Sequence, residues 1–297
     1  MSGTPTAPPP VEPLIDAVEG AEALDAAGQA IGKQVRNAFG PGVVRDALSG
    51  TWLGHSLHPL LTDVVIGSWT SASILDFLGE GDSSAVDKLI GIGIAASAPT
   101  ALTGTVDWAD SEAVDDRVRR MGLVHAASNV TALGLYGASL AARRRGDTGR
   151  GKLLGLAGLA VMSVGGFFGG HLSYARGVGV NQTAFDESGV PDEWTDAIGS
   201  DELPAGEAKS VVVGETPVML VRHDDGLHAL HDRCSHRGCS LADMGEVEGE
   251  IVTCGCHGSQ FDLRDGTLQR GPAATDQPVY EARESDGRVQ VRLASSG

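Results

Sequence analysis

The chain has 297 residues and carries 39 acidic against 22 basic side chains, a formal net charge of −17. Such an acidic balance excludes a nucleic-acid partner, whose phosphate backbone demands a basic face. The length also exceeds what one small domain needs, so more than one domain is expected.

Residues 1–13, with Pro5, Pro8, Pro9, Pro10 and Pro13, read as a disordered start. Leu14, Ile15, Val18, Ala21, Leu24, Ile31 and Val35 then recur at helical spacing, which predicts an amphipathic helix over 14–39. No basic segment precedes an apolar one, so neither a secretory nor a twin-arginine signal is expected. Residues 1–49 are therefore read as a disordered start followed by this helix.

Four apolar segments follow, Pro59–Leu78, Leu89–Val106, Met121–Ala142 and Leu153–Leu172, each near the roughly 20 residues that span a bilayer as a helix. The last three contain no Asp, Glu, Lys or Arg. Small residues are dense in them, including Gly151-x3-Gly155, Gly165-x3-Gly169 and Gly166-x3-Gly170, which lets helices approach closely in lipid. A soluble bundle is the competing account, since the first segment holds Asp63 and Asp76. It would need a polar stripe along each helix, and the uncharged segments show none. The expectation is a four-helix transmembrane bundle over residues 50–175 in the cell membrane, crossing it several times.

In up-down order, His55, His58, His125 and His171 all fall on one membrane face, together with Asp63 and Asp107. Ionisable groups gathered at a membrane boundary are a functional-site hypothesis by default. Three readings stay open there. His125 and His171, at similar depth, would ligate a haem b; the histidines and aspartates would hold a quinone head group or a metal ion; or the groups pair for packing alone. Basic residues near the helix ends divide six to five between the two faces, so the positive-inside rule leaves the side open.

Residues 176–200, rich in glycine, read as a linker whose mobility would let a following domain shuttle. Residues 201–297 then show short apolar runs at Val211–Val213, Val218–Val221, Leu227–Leu230, Ile251–Thr253 and Val289–Val291, bounded by Gly, Asp and Pro, as in strands of an antiparallel sandwich. The predicted fold is thus multi-domain, an all-α membrane bundle followed by an all-β domain. His223, His228 and His231 fall on these strands or their turns and read as surface or packing residues.

Within the β domain lie Cys234-Ser-His236 and Cys254-Gly-Cys256-His257, with seventeen residues between them. Two thiolates and two imidazoles in that order suit an asymmetric [2Fe–2S] cluster, with Cys234 and Cys254 on one iron and His236 and His257 on the other. Neutral nitrogen on one iron raises the potential above that of an all-cysteine cluster. Each imidazole keeping a second N–H exposed would couple electron uptake to proton uptake, as suits a quinol partner. Zinc is the alternative for two cysteines and two histidines, but zinc fingers pair like with like, whereas each pair here is mixed.

The match extends past the ligands: residues 202–294 resemble a Rieske domain. Cys234-Ser-His236-Arg-Gly238-Cys239 and Cys254-Gly-Cys256-His257-Gly258-Ser259 resemble its two cluster-binding loops, and Gly271-Pro272-Ala273 its third, covering loop. In the high-potential branch of that family the cysteines corresponding to Cys239 and Cys256 form a disulfide, so the resemblance implies one here. It also implies that Ser259 donates a hydrogen bond to a cluster sulfur. Phe261 stands where high-potential members carry tyrosine, which removes one donor and predicts a lower potential. Gly255 departs from a common proline. Gly54-His55-Ser-Leu-His58-Pro59 resembles the signature of small four-helix membrane domains of unassigned function, found alone or fused to Rieske domains.

The resemblance implies a membrane-bound component of electron transfer rather than a self-contained enzyme, serving a redox partner protein or quinone. A redox-sensing or regulatory membrane module is the alternative. A Rieske oxygenase component is a third reading, although only forty residues follow His257, too few for the catalytic domain with its mononuclear iron.

Overall fold

The computed structural model describes residues 11–79, 83–186 and 189–294, so Pro5 to Pro10 of the expected disordered start lie outside it. The chain folds as two compact units, Met1–Ala38 with His58–Val178, and Phe39–Leu57 with Gly179–Gly297. Both are discontinuous in sequence.

In the helical unit the single helix expected over 14–39 is broken. Helix α1 (Glu12–Glu19) starts with proline in its first turn and closes at Gly20, whose N–H donates to the Asp16 carbonyl at 2.9 Å. Ala21 then leaves helical geometry, and α2 (Asp25–Ala38) resumes after a short 3-10 turn. Charge pairs fasten α2 to the rest of the unit: Arg120 meets Asp25 at 2.6 Å, and buried Glu112 takes Arg36 at 2.5 Å and, from within the unit, Arg119 at 2.7 Å. A buried carboxylate is tolerated only with such partners.

Four long helices follow: α4 (Leu57–Leu78), α5 (Ser83–Glu112), α6 (Asp116–Arg144) and α7 (Thr148–Tyr174). Each predicted apolar segment lies inside one of them. Asp115 and Asp147 cap α6 and α7 by accepting from the Arg117 and Arg150 amides. Among the described residues, Ser84–Glu112 and Thr148–Tyr174 are two helices long and apolar enough to cross a membrane by length and composition. Helix α6 is diluted by polar side chains that are satisfied locally: Ser128 donates to the Val124 carbonyl at 2.9 Å and Thr131 to that of Ala127 at 2.8 Å.

Glycines seat the large side chains of neighbouring helices. Trp69 of α4 rests on Gly93 of α5, and Tyr136 of α6 on Gly158 of α7, where a Cβ would lie only 2.2 and 2.9 Å from the rings. The two rings stack at 4.2 Å between centroids, and the Tyr136 hydroxyl bonds to Ser73 at 3.1 Å. Close approach of this kind buries both rings in the apolar core of the helical unit. At one end of α4 and α6, buried Arg143 pairs with Asp76.

The β unit holds two antiparallel sheets, one ordered β1-β10-β9-β4-β3-β2 and the other β5-β6-β7-β8. The first comprises β1 (Thr195–Gly199), β2 (Ala208–Val213), β3 (Thr216–His223), β4 (Gly226–His231), β9 (Val279–Ser285) and β10 (Arg288–Leu293). The second comprises β5 (Glu246–Glu248), β6 (Ile251–Thr253), β7 (Gln260–Asp262) and β8 (Leu268–Arg270), with the one-turn helix α8 (Leu241–Met244) before it. Every strand predicted from an apolar run is present. The expected linker is shorter than read, because β1 already pairs with β10 and Trp194 lies under Arg283 and Arg292 at 4.2 and 4.5 Å. Helix α3 (Val43–Ser49) and the turn after it also belong to this unit.

Gly158→Leu should drive Tyr136 off Trp69 and break its bond to Ser73. Overpacking of that kind costs about 1–3 kcal/mol, so the thermal midpoint of the detergent-solubilised chain should fall by several degrees.

Candidate metal centre

Two loops of the β unit bend in the same way. In each, the first cysteine amide bonds to the carbonyl five residues on, Cys234 to Cys239 and Cys254 to Ser259, both at 2.8 Å. In each, the glycine four residues on returns a bond to that cysteine's carbonyl, Gly238 at 2.8 Å and Gly258 at 2.9 Å. Both glycines adopt positive φ, +72° and +82°, a conformation other residues adopt only with strain. Cys-x3-Gly is therefore the sequence unit that builds each loop.

The repeat brings four donors together. Cys234 and Cys254 are both buried and their sulfurs are hydrogen-bond neighbours. His236 and His257 face each other with ring centroids 5.0 Å apart. The Cys254 sulfur and burial push the Cys234 thiol up, while Cys234 lowers that of Cys254. Backbone amides of His236 and Arg237 at the Cys234 sulfur, and of Cys256 and His257 at the Cys254 sulfur, act the other way from burial, toward the thiolate. Burial, then the charges of His257, Arg45 and Arg237, hold His236 well below the usual imidazole range, in the neutral state a metal requires. Two anionic sulfurs opposite two neutral nitrogens fit an iron–sulfur cluster.

Cys239 and Cys256 are joined by a disulfide that ties the loops together. The third loop, containing Gly271 and Pro272, is fastened to the second: the Ala273 amide donates to the Ser259 hydroxyl at 2.9 Å. That leaves the hydroxyl proton of Ser259 available to a sulfur. Phe261 is fully buried in the apolar cluster that includes Cys234 and Cys254. Gly255 has a steric reason, since a Cβ there would lie 1.7 Å from the Met244 carbonyl oxygen.

Three residues outside the motifs support the site, and the sequence pattern did not single them out. Gln277, buried, donates to the His231 and Arg233 carbonyls at 2.7 and 2.6 Å and accepts from the Ser235 amide at 3.0 Å. Asp232 accepts from Ser210, Ser240 and the Ala242 amide, each at 2.8 Å. Arg45, on α3, is 4 % exposed and donates to the His257 carbonyl at 3.3 Å. Its helix forms a strap over the loops: Asp46 accepts from the Gly271 amide, and Thr51 donates to the Ala273 carbonyl at 3.0 Å. His257 is consequently only 8 % exposed. The expectation that both imidazoles present a second N–H to solvent is corrected at this residue.

The helical histidines take other partners than expected. His58 bonds to the Thr100 carbonyl and His125 to that of Gly165, at 2.9 and 2.8 Å, and their rings face each other at 6.4 Å. His171 instead meets Glu19 of α1 at 3.0 Å. The expected pairing of His125 with His171 is thus not formed; His125 lies opposite His58 instead. His55 belongs to the β unit and bonds to the Ser56 carbonyl, Asp63 is exposed, and Asp107 is half-buried.

Residues 193–281 match the Rieske [2Fe-2S] domain family, and residues 54–182 match a family described as a predicted membrane protein, DUF2231. The anthranilate 1,2-dioxygenase ferredoxin subunit of Burkholderia cepacia is 35 % identical over 101 residues, 34 % of this chain and 93 % of that protein. The biphenyl dioxygenase ferredoxin subunit of Pseudomonas sp. (strain KKS102) is 32 % identical over 30 % of this chain and 83 % of its own length. Among solved structures, the ferredoxin of carbazole 1,9a-dioxygenase from Nocardioides aromaticivorans IC177 aligns with a TM-score of 0.32 at 26 % identity, covering 34 % of this chain and 98 % of that one.

Gln277→Leu leaves three backbone groups, one in the first loop and two in the chain leading into it, without their partner, a cost of about 1–3 kcal/mol for each group that stays buried and unsatisfied. Iron and acid-labile sulfide per chain should fall, with the helical unit still folded by circular dichroism. Arg45→Gln removes a buried positive charge beside both imidazoles. The reduction potential should drop by roughly 50 mV, the one-electron equivalent of about 1 kcal/mol, in a redox titration followed by electron paramagnetic resonance.

Proposed function

We propose, since the chain belongs to the Rieske [2Fe–2S] domain family, that it is a membrane-anchored electron carrier passing single electrons between redox partner proteins. Electron transfer through a [2Fe–2S] cluster comes with the Rieske domain. The membrane anchorage rests on the match of residues 54–182 and on two apolar helices of spanning length. The observation that carries the reading is the pair of like-bent loops that faces two sulfurs toward two imidazoles.

In this reading Cys234 and Cys254 hold one iron, and His236 and His257 the other. The bound cluster supplies a one-electron couple above that of all-cysteine clusters. The chain's own residues set its surroundings. The disulfide between Cys239 and Cys256 keeps the loops at fixed spacing, Ser259 offers its proton to a sulfur, and Arg45 favours the added electron. The strap limits water at His257, which is only 8 % exposed.

The relatives are ferredoxin subunits of dioxygenases, which supports a protein donor and a protein acceptor. A second reading, quinol as donor, is favoured by one observation: the disulfide and Ser259 together are what the resemblance attributes to high-potential members. His58 opposite His125 is then the place to seek a quinone or haem in the helical unit.

The full chain, purified in detergent and reduced with dithionite, should give the low-average-g signal of a nitrogen-ligated cluster, with two irons and two labile sulfides per chain. Zinc at the site, or iron without sulfide, overturns the reading. Reduction by a flavoprotein reductase but not by a quinol supports protein partners, and the reverse supports the second reading. Phe261→Tyr, which adds a donor, should raise the midpoint potential; no rise removes the tuning argument.

A further inference from the structure

Outside the cluster loops, three ligand-type side chains converge at the tip of the β3–β4 hairpin. The donor atoms of His223, Asp225 and His228 all lie within 4.8 Å of one another. The ladder sets them there. His223 pairs with Gly226, Arg222 with Leu227 and Val221 with His228, leaving Asp224 and Asp225 as a two-residue turn. Side chains alternate along each strand, so His223 and His228 are diagonal neighbours on one face. Their ring centroids are 6.3 Å apart. Both rings turn a nitrogen toward the same oxygen: Oδ1 of Asp225 lies 3.0 Å from Nδ1 of His223 and 2.8 Å from Nε2 of His228.

We propose that this hairpin tip is a zinc-class divalent metal site, with His223 Nδ1, His228 Nε2 and an Asp225 carboxylate oxygen as ligands and water completing the shell. Two imidazoles and a carboxylate are a donor set zinc uses where one position stays open. Zinc bonds of about 2.0–2.2 Å place tetrahedral donors roughly 3.3 Å apart, so the two nitrogen–oxygen separations of 3.0 and 2.8 Å widen by only a few tenths of an ångström on binding, and the two nitrogens, within 4.8 Å of each other, adjust toward the same spacing. The side chains of His223, Asp225 and His228 are 23 %, 42 % and 12 % exposed, which leaves one side open to an entering ion and its water. The nearby carboxylate of Asp262, whose charge reaches His228, is held by Arg264 at 2.7 Å and is not required as a ligand.

This site is separate from the cluster. It shares no residue with the cluster loops: His223 ends β3, His228 lies on β4 and Asp225 in the turn between them, all before Cys234 in the chain. Its occupancy therefore does not depend on whether the chain carries electrons.

The test is calorimetric titration of zinc sulfate into the cluster-loaded full chain in detergent, with the electron paramagnetic resonance signal per chain as a check that no iron is displaced. One zinc per chain is expected, bound at least tenfold more weakly by His228→Gln and by Asp225→Asn. Asp224→Asn removes the same charge from the same turn and should change affinity less than threefold. No binding by the wild-type chain, or equal weakening by Asp224→Asn, overturns the site. So does binding that both ligand variants keep while retaining their cluster signal.

Discussion

A cluster held by sulfur at one end and nitrogen at the other needs four donors from separate loops to keep their spacing while its charge changes. Here that demand is met by backbone hydrogen bonds: the same pair of bonds, closed by a positive-φ glycine, is used in both loops. The disulfide joins the loops to each other, the Ala273 amide joins the second to the third, and Gln277 fixes the first to the strand that precedes it. Little at the centre is left to side-chain rotamers alone, which is how a redox site keeps its reorganisation small.

The helical unit solves a different problem with different means. Charge pairs fasten α2 to α5 and α6, while glycines bring rings onto neighbouring helices. His58 on Gly104 and His125 on Gly169 follow the same rule as Trp69 and Tyr136, a large side chain seated on a residue without one. Polar groups on these helices return their bonds to helix carbonyls, so α6 remains well formed despite its serines and threonines.

The ligand loops were legible in the sequence because each is built from six consecutive residues, and a local pattern of Cys, His and Gly encodes both donors and turn. The long helices and the five apolar strands were legible for the same reason, a period carried by neighbouring residues. Strands β5, β7 and β8 were not: three residues each, with Glu248, Gln260 or Gln269 among them, they are set by pairing rather than by pattern. Arg45 was hidden more deeply. It is separated from His257 by 212 residues, and only the folded chain makes them neighbours. The pairing of His171 with Glu19 rather than across the bundle is of the same kind, as is the role of Gln277, whose amide satisfies groups more than forty residues away.

The strap also changes what counts as the redox domain. Its residues precede α4 in the chain and lie outside the family match at 193–281, yet they are packed into the same unit. A fragment cut at Gly179 would keep all four proposed iron ligands and the disulfide, but lose Arg45, Asp46 and Thr51. Such a fragment is a more hydrated, less cationic carrier than the intact protein, and a potential measured on it would belong to a different electrostatic object.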